Sequence, residues 1–178
     1  MIPAFSSNLA TGGTSPQAIQ TVDLDRDSDL DLAVVNFSSD KVGILLNDGK
    51  GQFTDPITHR TQGRLPVTVH FGLFSDDLDL DMVVLTDGGG ALELFRGSGD
   101  GNFGDSVLIA GGLLAGSSES SLTLADLDGD RIAELAVVER INRVNQDDAV
   151  GIYAATGTIG AATPEELNCP VSDRSSCE

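Results

Sequence analysis

Carboxylates recur at close, regular spacing in two stretches of this chain: Asp23, Asp25, Asp27, Asp29 and Asp31 in the first, and Asp126, Asp128, Asp130 and Glu134 in the second. Laid along one face of a strand, such a row would repel itself, whereas curled around a cation its oxygens become a ligand set. With no His or thiolate among them, these ligands suit calcium, which takes about six to eight oxygens in flexible geometry, and do not suit zinc or copper. The bland alternative is a solvated acidic turn. A third, worn stretch at 73–81 has Leu73 at the first position and Ser75 at the third, so only Ser75, Asp77 and Asp81 remain as weak candidates, and its site is expected to be empty or very weak.

The elements that would position these loops repeat at about fifty residues. Each acidic loop, at 23–31, 73–81 and 126–134, follows a short alternating segment (Ala18 to Val22, Val67 to Phe71, Leu122 to Leu124) and runs into a stretch rich in Val and Leu, which reads as strand, loop, strand. A third strand is expected at Val42 to Leu46, Ala91 to Phe95 and Val150 to Ala154. Tight turns at Asn47-Asp48-Gly49-Lys50-Gly51 and Gly97-Ser98-Gly99-Asp100-Gly101 then lead to a fourth, outer strand opened by Phe53 and Phe103. Four antiparallel strands at this period describe a β-propeller blade, because a lone sheet must stack on a neighbour to cover both faces. The predicted fold is therefore all-β, with about three four-stranded blades over residues 1–162 and a polar tail at 163–178 that includes Cys169 and Cys177. Phe5 stands where the last strand of a preceding blade would open. Whether the two cysteines pair is left open, since their bridge would close only a short loop.

An EF-hand also begins with acids at positions 1, 3 and 5, but its bidentate Glu at position 12 is replaced here by Val34 and Val137. The pattern DxDxDGxxDLxV of the FG-GAP and VCBS repeat family is similar to residues 23 to 34 and 126 to 137, and the Asn47 to Phe53 and Gly99 to Phe103 turns resemble the family's second hallmark. The resemblance covers roughly residues 17–155 and implies a calcium-loaded blade of the kind seen in integrin α-subunits. Carried over by position, it implies side-chain oxygens from Asp23, Asp25, Asp27 and Asp31 with the Asp29 carbonyl, and from Asp126, Asp128, Asp130 and Glu134 with the Ile132 carbonyl. The family's usual Gly at position 6 is Ser28 and Arg131 here, which predicts backbone strain or a variant turn.

Composition narrows the function. The 28 acidic against 10 basic residues, a net charge of −18, exclude nucleic acid as a partner. Val107 to Gly116, the longest nearly apolar stretch, is too short to insert in a membrane. No nucleophile elbow, Walker loop, dinucleotide fingerprint or zinc-protease motif is present, and His59 and His70 read as exposed strand or turn residues, so the chain is not expected to be an enzyme. No secretory leader is visible at the N-terminus.

In blades of the resembled family, partners generally engage the face opposite the metal loops. This implies an extracellular or cell-surface module for adhesion or recognition of a protein or glycan. The candidate contact loops are then 36–41, 62–66, 86–90, 115–120 and 141–148, with Arg64, Arg140 and Arg143 as polar contacts. The alternative is an accessory propeller portion of a secreted carbohydrate-active or lipid-cleaving enzyme, with its chemistry outside this chain. Closed rings need at least about four blades, so further blades or self-association are expected to complete the propeller.

Overall fold

The computed structural model describes residues 8–74, 77–110, 122–125, 133–139 and 149–153, with 134–139 and 149–153 described by backbone alone. Three antiparallel sheets follow one another along the chain. Blade 1 joins β1 (Pro16–Val22), β2 (Asp31–Asn36), β3 (Lys41–Leu45) and β4 (Ile57–Arg60) in simple up-and-down order. Blade 2 repeats that order with β5 (Arg64–Gly72), β6 (Asp81–Gly88), β7 (Ala91–Gly97) and β8 (Phe103–Ala110). Blade 3 contributes β9 (Leu122–Ala125), β10 (Glu134–Glu139) and β11 (Ala149–Tyr153). The expected propeller-blade architecture is thus observed. Phe5, the boundary at 162, and the tail with Cys169 and Cys177 lie outside the described residues.

The continuous apolar run of β6 makes sense because both faces of blade 2 are covered. In β6, Met82 and Val84 pack toward blade 1 with Leu24, Ala33, Val35, Val42, Ile44, Val69 and Phe95. Their alternating neighbours Val83 and Leu85 pack toward blade 3 with Phe74, Leu92, Leu94, Ile109 and Leu122. Period-two alternation therefore sorts one apolar strand between two cores. Burying a side chain of this size contributes about 1.5–3 kcal/mol, so stacking, and not any single sheet, holds the fold.

Two expectations are corrected. Phe53 forms only an isolated bridge with Asn47, and β4 does not begin until Ile57. The intervening Pro56 has no N–H to give a ladder. The histidines are half-buried: His59 stands edge-on to Phe95 and Phe103, with ring centroids 6.4 and 5.4 Å away, and its Nε2 is buried without a partner. Burial pushes the pKa of both His59 and His70 below the usual histidine value.

The connections into blades 1 and 2 are anchored on their middle strands, by different means. In blade 1 the incoming backbone lies on β3, and a Cβ at Gly43 would come within 2.1 Å of the Thr11 carbonyl oxygen. Asn36, fully buried, exchanges hydrogen bonds with Thr11. In blade 2 the residue in register with Gly43 is Glu93, whose buried carboxylate accepts the Gln62 and Gly63 N–H groups at 2.8 and 2.6 Å. Glu93 thereby fastens the link between the first two blades.

Candidate metal centre

The acidic loops join the first and second strands of each blade, at the end where the β3–β4 and β7–β8 hairpins also turn. The 36–41 connection, the 61–63 link and the β6–β7 turn lie at the opposite end. Of the proposed contact segments there, Arg64 to Pro66 already belongs to β5 and Thr86 to Gly88 to β6, which shortens the true loops. Residues 115–120, Arg140 and 141–148 with Arg143 lie outside the described residues.

In the first loop, carboxylate oxygens of Asp23, Asp25 and Asp27 all lie within 4.8 Å of one another. Calcium holds oxygens at about 2.3–2.6 Å, so two oxygens on one ion can stand up to about 5 Å apart, and the measured cluster fits a common ion. The loop organises itself through its own amides. Asp23 accepts Arg26 N–H at 2.7 Å and Ser28 N–H at 3.1 Å, Asp25 accepts Asp27 N–H at 3.3 Å, and Asp27 accepts Asp29 N–H at 2.8 Å. These short-range turns are what Asp favours. Desolvation first, and then the Asp27 and Asp31 charges, push the Asp25 carboxyl above its ordinary value, while the Asp27 N–H pulls it back.

Asp31 stands apart from that cluster. It is fully buried, and its two oxygens accept Leu24 N–H and Asn47 N–H, each at 2.8 Å. The carboxylate therefore ties the start of the loop to the hairpin beyond β3. Asp81 repeats the arrangement in blade 2, accepting Gly97 N–H at 2.9 Å and the Phe74 N–H. Burial is the largest influence on the Asp81 carboxyl and raises it, against the lowering effect of the Gly97 N–H and Arg96. Glu134 opens β10 at the corresponding register, opposite Ala125 as Asp31 is opposite Val22. This tie-bar role was not visible in the sequence, because a metal ligand and an amide acceptor both call for Asp at the ninth position.

Asp29, expected to lend its carbonyl, also uses its side chain against the hairpin: a Cβ at Gly49 would come within 2.3 Å of Asp29 Oδ2, and a Cβ at Gly99 equally close to Asp79 Oδ1. Both glycines have φ of +71°, so these turns require glycine twice over. At position 6, Ser28 has φ of +76° and its blade 2 counterpart Leu78 has +66°. The strain predicted at Ser28 is thus present. Asp126, Asp128, Asp130, Arg131 and Ile132 of the third loop and Ser75 of the middle loop lie outside the described residues.

The loops also touch across blades. Gly101 N–H donates to the Leu24 carbonyl at 3.2 Å, and Ala133 N–H to the Leu73 carbonyl at 3.0 Å. Arg26 crosses from the first loop to the Leu78 carbonyl and to Asp79, the latter at 2.5 Å.

Comparison with known families is consistent with this geometry. Residues 74–137 match the FG-GAP-like repeat family, a span running from the middle acidic loop through β10. No curated protein matches the chain.

Proposed function

From a chain that carries an FG-GAP-like repeat at residues 74–137, we propose a calcium-binding β-propeller repeat module that is non-catalytic and recognises a protein or glycan at the end opposite its acidic loops. The observation that carries the metal reading is the convergence of Asp23, Asp25 and Asp27 within 4.8 Å. Calcium would be held by these three carboxylates, with Asp29 and Asp31 completing the set at the loop's end. A corresponding site would use Asp126, Asp128, Asp130, Ile132 and Glu134, while the middle loop would take metal weakly or not at all.

When bound, the ion neutralises clustered charge and fixes the connection between β1 and β2, so its role is structural. The fold supports the placement of the partner surface: strand order sends the 36–41 and 61–63 connections and the β6–β7 turn to one end, away from the carboxylates. Arg64, exposed at the start of β5, is a polar contact at that end. An extracellular or cell-surface setting follows from this reading, since millimolar calcium would keep the loops loaded. Among the described residues no helix is long and apolar enough to cross a membrane.

Thermal unfolding in calcium, magnesium and chelator tests the proposal. At free calcium about 100-fold above Kd, linkage adds about 2.7 kcal/mol per site, enough to raise Tm by roughly 5–10 °C in a chain of this size. Equal melting temperatures in all three conditions would remove the metal from the account.

A further inference from the structure

Blades 1 and 2 share the same buried tie-bar but differ around it by a reciprocal exchange. At the first loop position, blade 1 has Asp23 and blade 2 has Leu73. At the residue following Leu45 and Phe95, which occupy matching places opposite Leu32 and Met82, blade 1 has Leu46 and blade 2 has Arg96. Relative to blade 1, blade 2 has an apolar residue in place of an acid and a base in place of an apolar residue at the same end of the sheet.

The base is engaged with the loop. Arg96 Nη1 donates to Asp81 Oδ2 at 3.2 Å and to the Phe74 carbonyl at 3.3 Å. Its side chain is 32% exposed, while that of Asp81 is completely buried. Among the described residues of this loop, Asp77 acts electrostatically on Asp81 and Asp79 is met from outside by Arg26; Asp76 lies outside the described residues. A buried carboxylate next to another acid is stabilised by a positive charge at hydrogen-bond distance. Arginine suits the task, because it is always charged and its planar fork can reach a carboxylate and a carbonyl together.

We infer that Arg96 is the resident cation of the middle loop, a guanidinium that neutralises Asp81 from within the chain and makes the β5–β6 connection of blade 2 independent of metal. Its role holds whether or not the first loop takes calcium.

The test is thermal unfolding of the full chain in chelator, where no loop carries metal. Arg96→Leu, which installs the blade 1 residue, is expected to lower Tm by about 3 °C or more, as loss of one partner of a partly buried ion pair should. Arg96→Lys should retain most of the parent Tm. Arg96→Leu combined with Asp77→Asn should recover part of the loss, because one of two repelling acids is gone. A parent-like Tm for Arg96→Leu, or an equal fall for Arg96→Lys, would overturn the inference. If Arg96→Leu alone does not fold, the lysine variant and the double variant still decide between charge and bulk.

Discussion

Replacing Asp31 by Ala separates a tie-bar from a metal ligand, provided the measurement is made in chelator. Without metal, removing a pure ligand from an acidic loop costs nothing and relieves repulsion. The structure predicts a large loss instead, because Asp31 is fully buried and is the acceptor for the Leu24 and Asn47 N–H groups at 2.8 Å each. A buried amide deprived of its acceptor costs about 1–3 kcal/mol; the Leu24 N–H bears that cost in full and the part-buried Asn47 N–H only part of it, so the loss is about 1–4 kcal/mol, less what relieved repulsion returns. Asp31→Asn keeps the shape and one acceptor but turns an N–H donor toward the second amide, so it should lose at least about 1 kcal/mol. The chain has no Trp, so urea unfolding is best followed by circular dichroism, comparing the parent and both variants with chelator present. A parent-like unfolding midpoint for Asp31→Ala in chelator would refute the tie-bar reasoning and return Asp31 to the role of ligand alone.

Other outcomes follow from the same geometry. Leu78 is 68% exposed with φ of +66°; relieving a left-handed residue gains about 1–2 kcal/mol, and the greater freedom of unfolded Gly returns about 0.4–1 kcal/mol. The net gain is up to about 1.6 kcal/mol, so Leu78→Gly should raise Tm by up to about 6 °C, and a fall in Tm would contradict the strain argument. His59 is held neutral among Phe95 and Phe103, with its pKa lowered by burial. A histidine whose folded pKa lies below its unfolded value binds fewer protons when folded, so its contribution is complete above about pH 6.5 and is lost as pH falls through that value toward the folded pKa. His59→Phe should flatten the loss of stability as pH falls through about 6.5, leaving the slope due to His70, and an unchanged pH profile would show that His59 is not the group responsible.

The architecture was legible because its signals are local. Alternating and continuous apolar runs marked the strands, and the Asn-Asp-Gly and Ser-Gly-Asp-Gly turns marked the hairpins. Glycines 49 and 99 have the positive φ such turns demand. What was not legible depends on contacts between distant segments. Glu93 reads as an ordinary polar residue in a strand, yet it is fully buried and holds Gln62 and Gly63, about thirty residues earlier. Arg96 reads as a solvent-facing strand end until Asp81 and the Phe74 carbonyl are brought against it. His59 reads as exposed in the sequence because alternation does not show which face of β4 the next blade covers. The candidate site divides in the same way: close spacing brought Asp23, Asp25 and Asp27 together as a visible group, while the burial of Asp31 required the hairpin at Asn47.

Calcium titration calorimetry on the full chain, repeated with Asp25→Ala, decides whether the first acidic loop is a metal site. Saturable, calcium-selective binding is predicted for the parent and the loss of one site's heat for the variant, since Asp25 lies within the three-carboxylate cluster and, among the described residues, is hydrogen-bonded only within the loop. Superimposable isotherms, or no binding at millimolar calcium, would contradict this prediction.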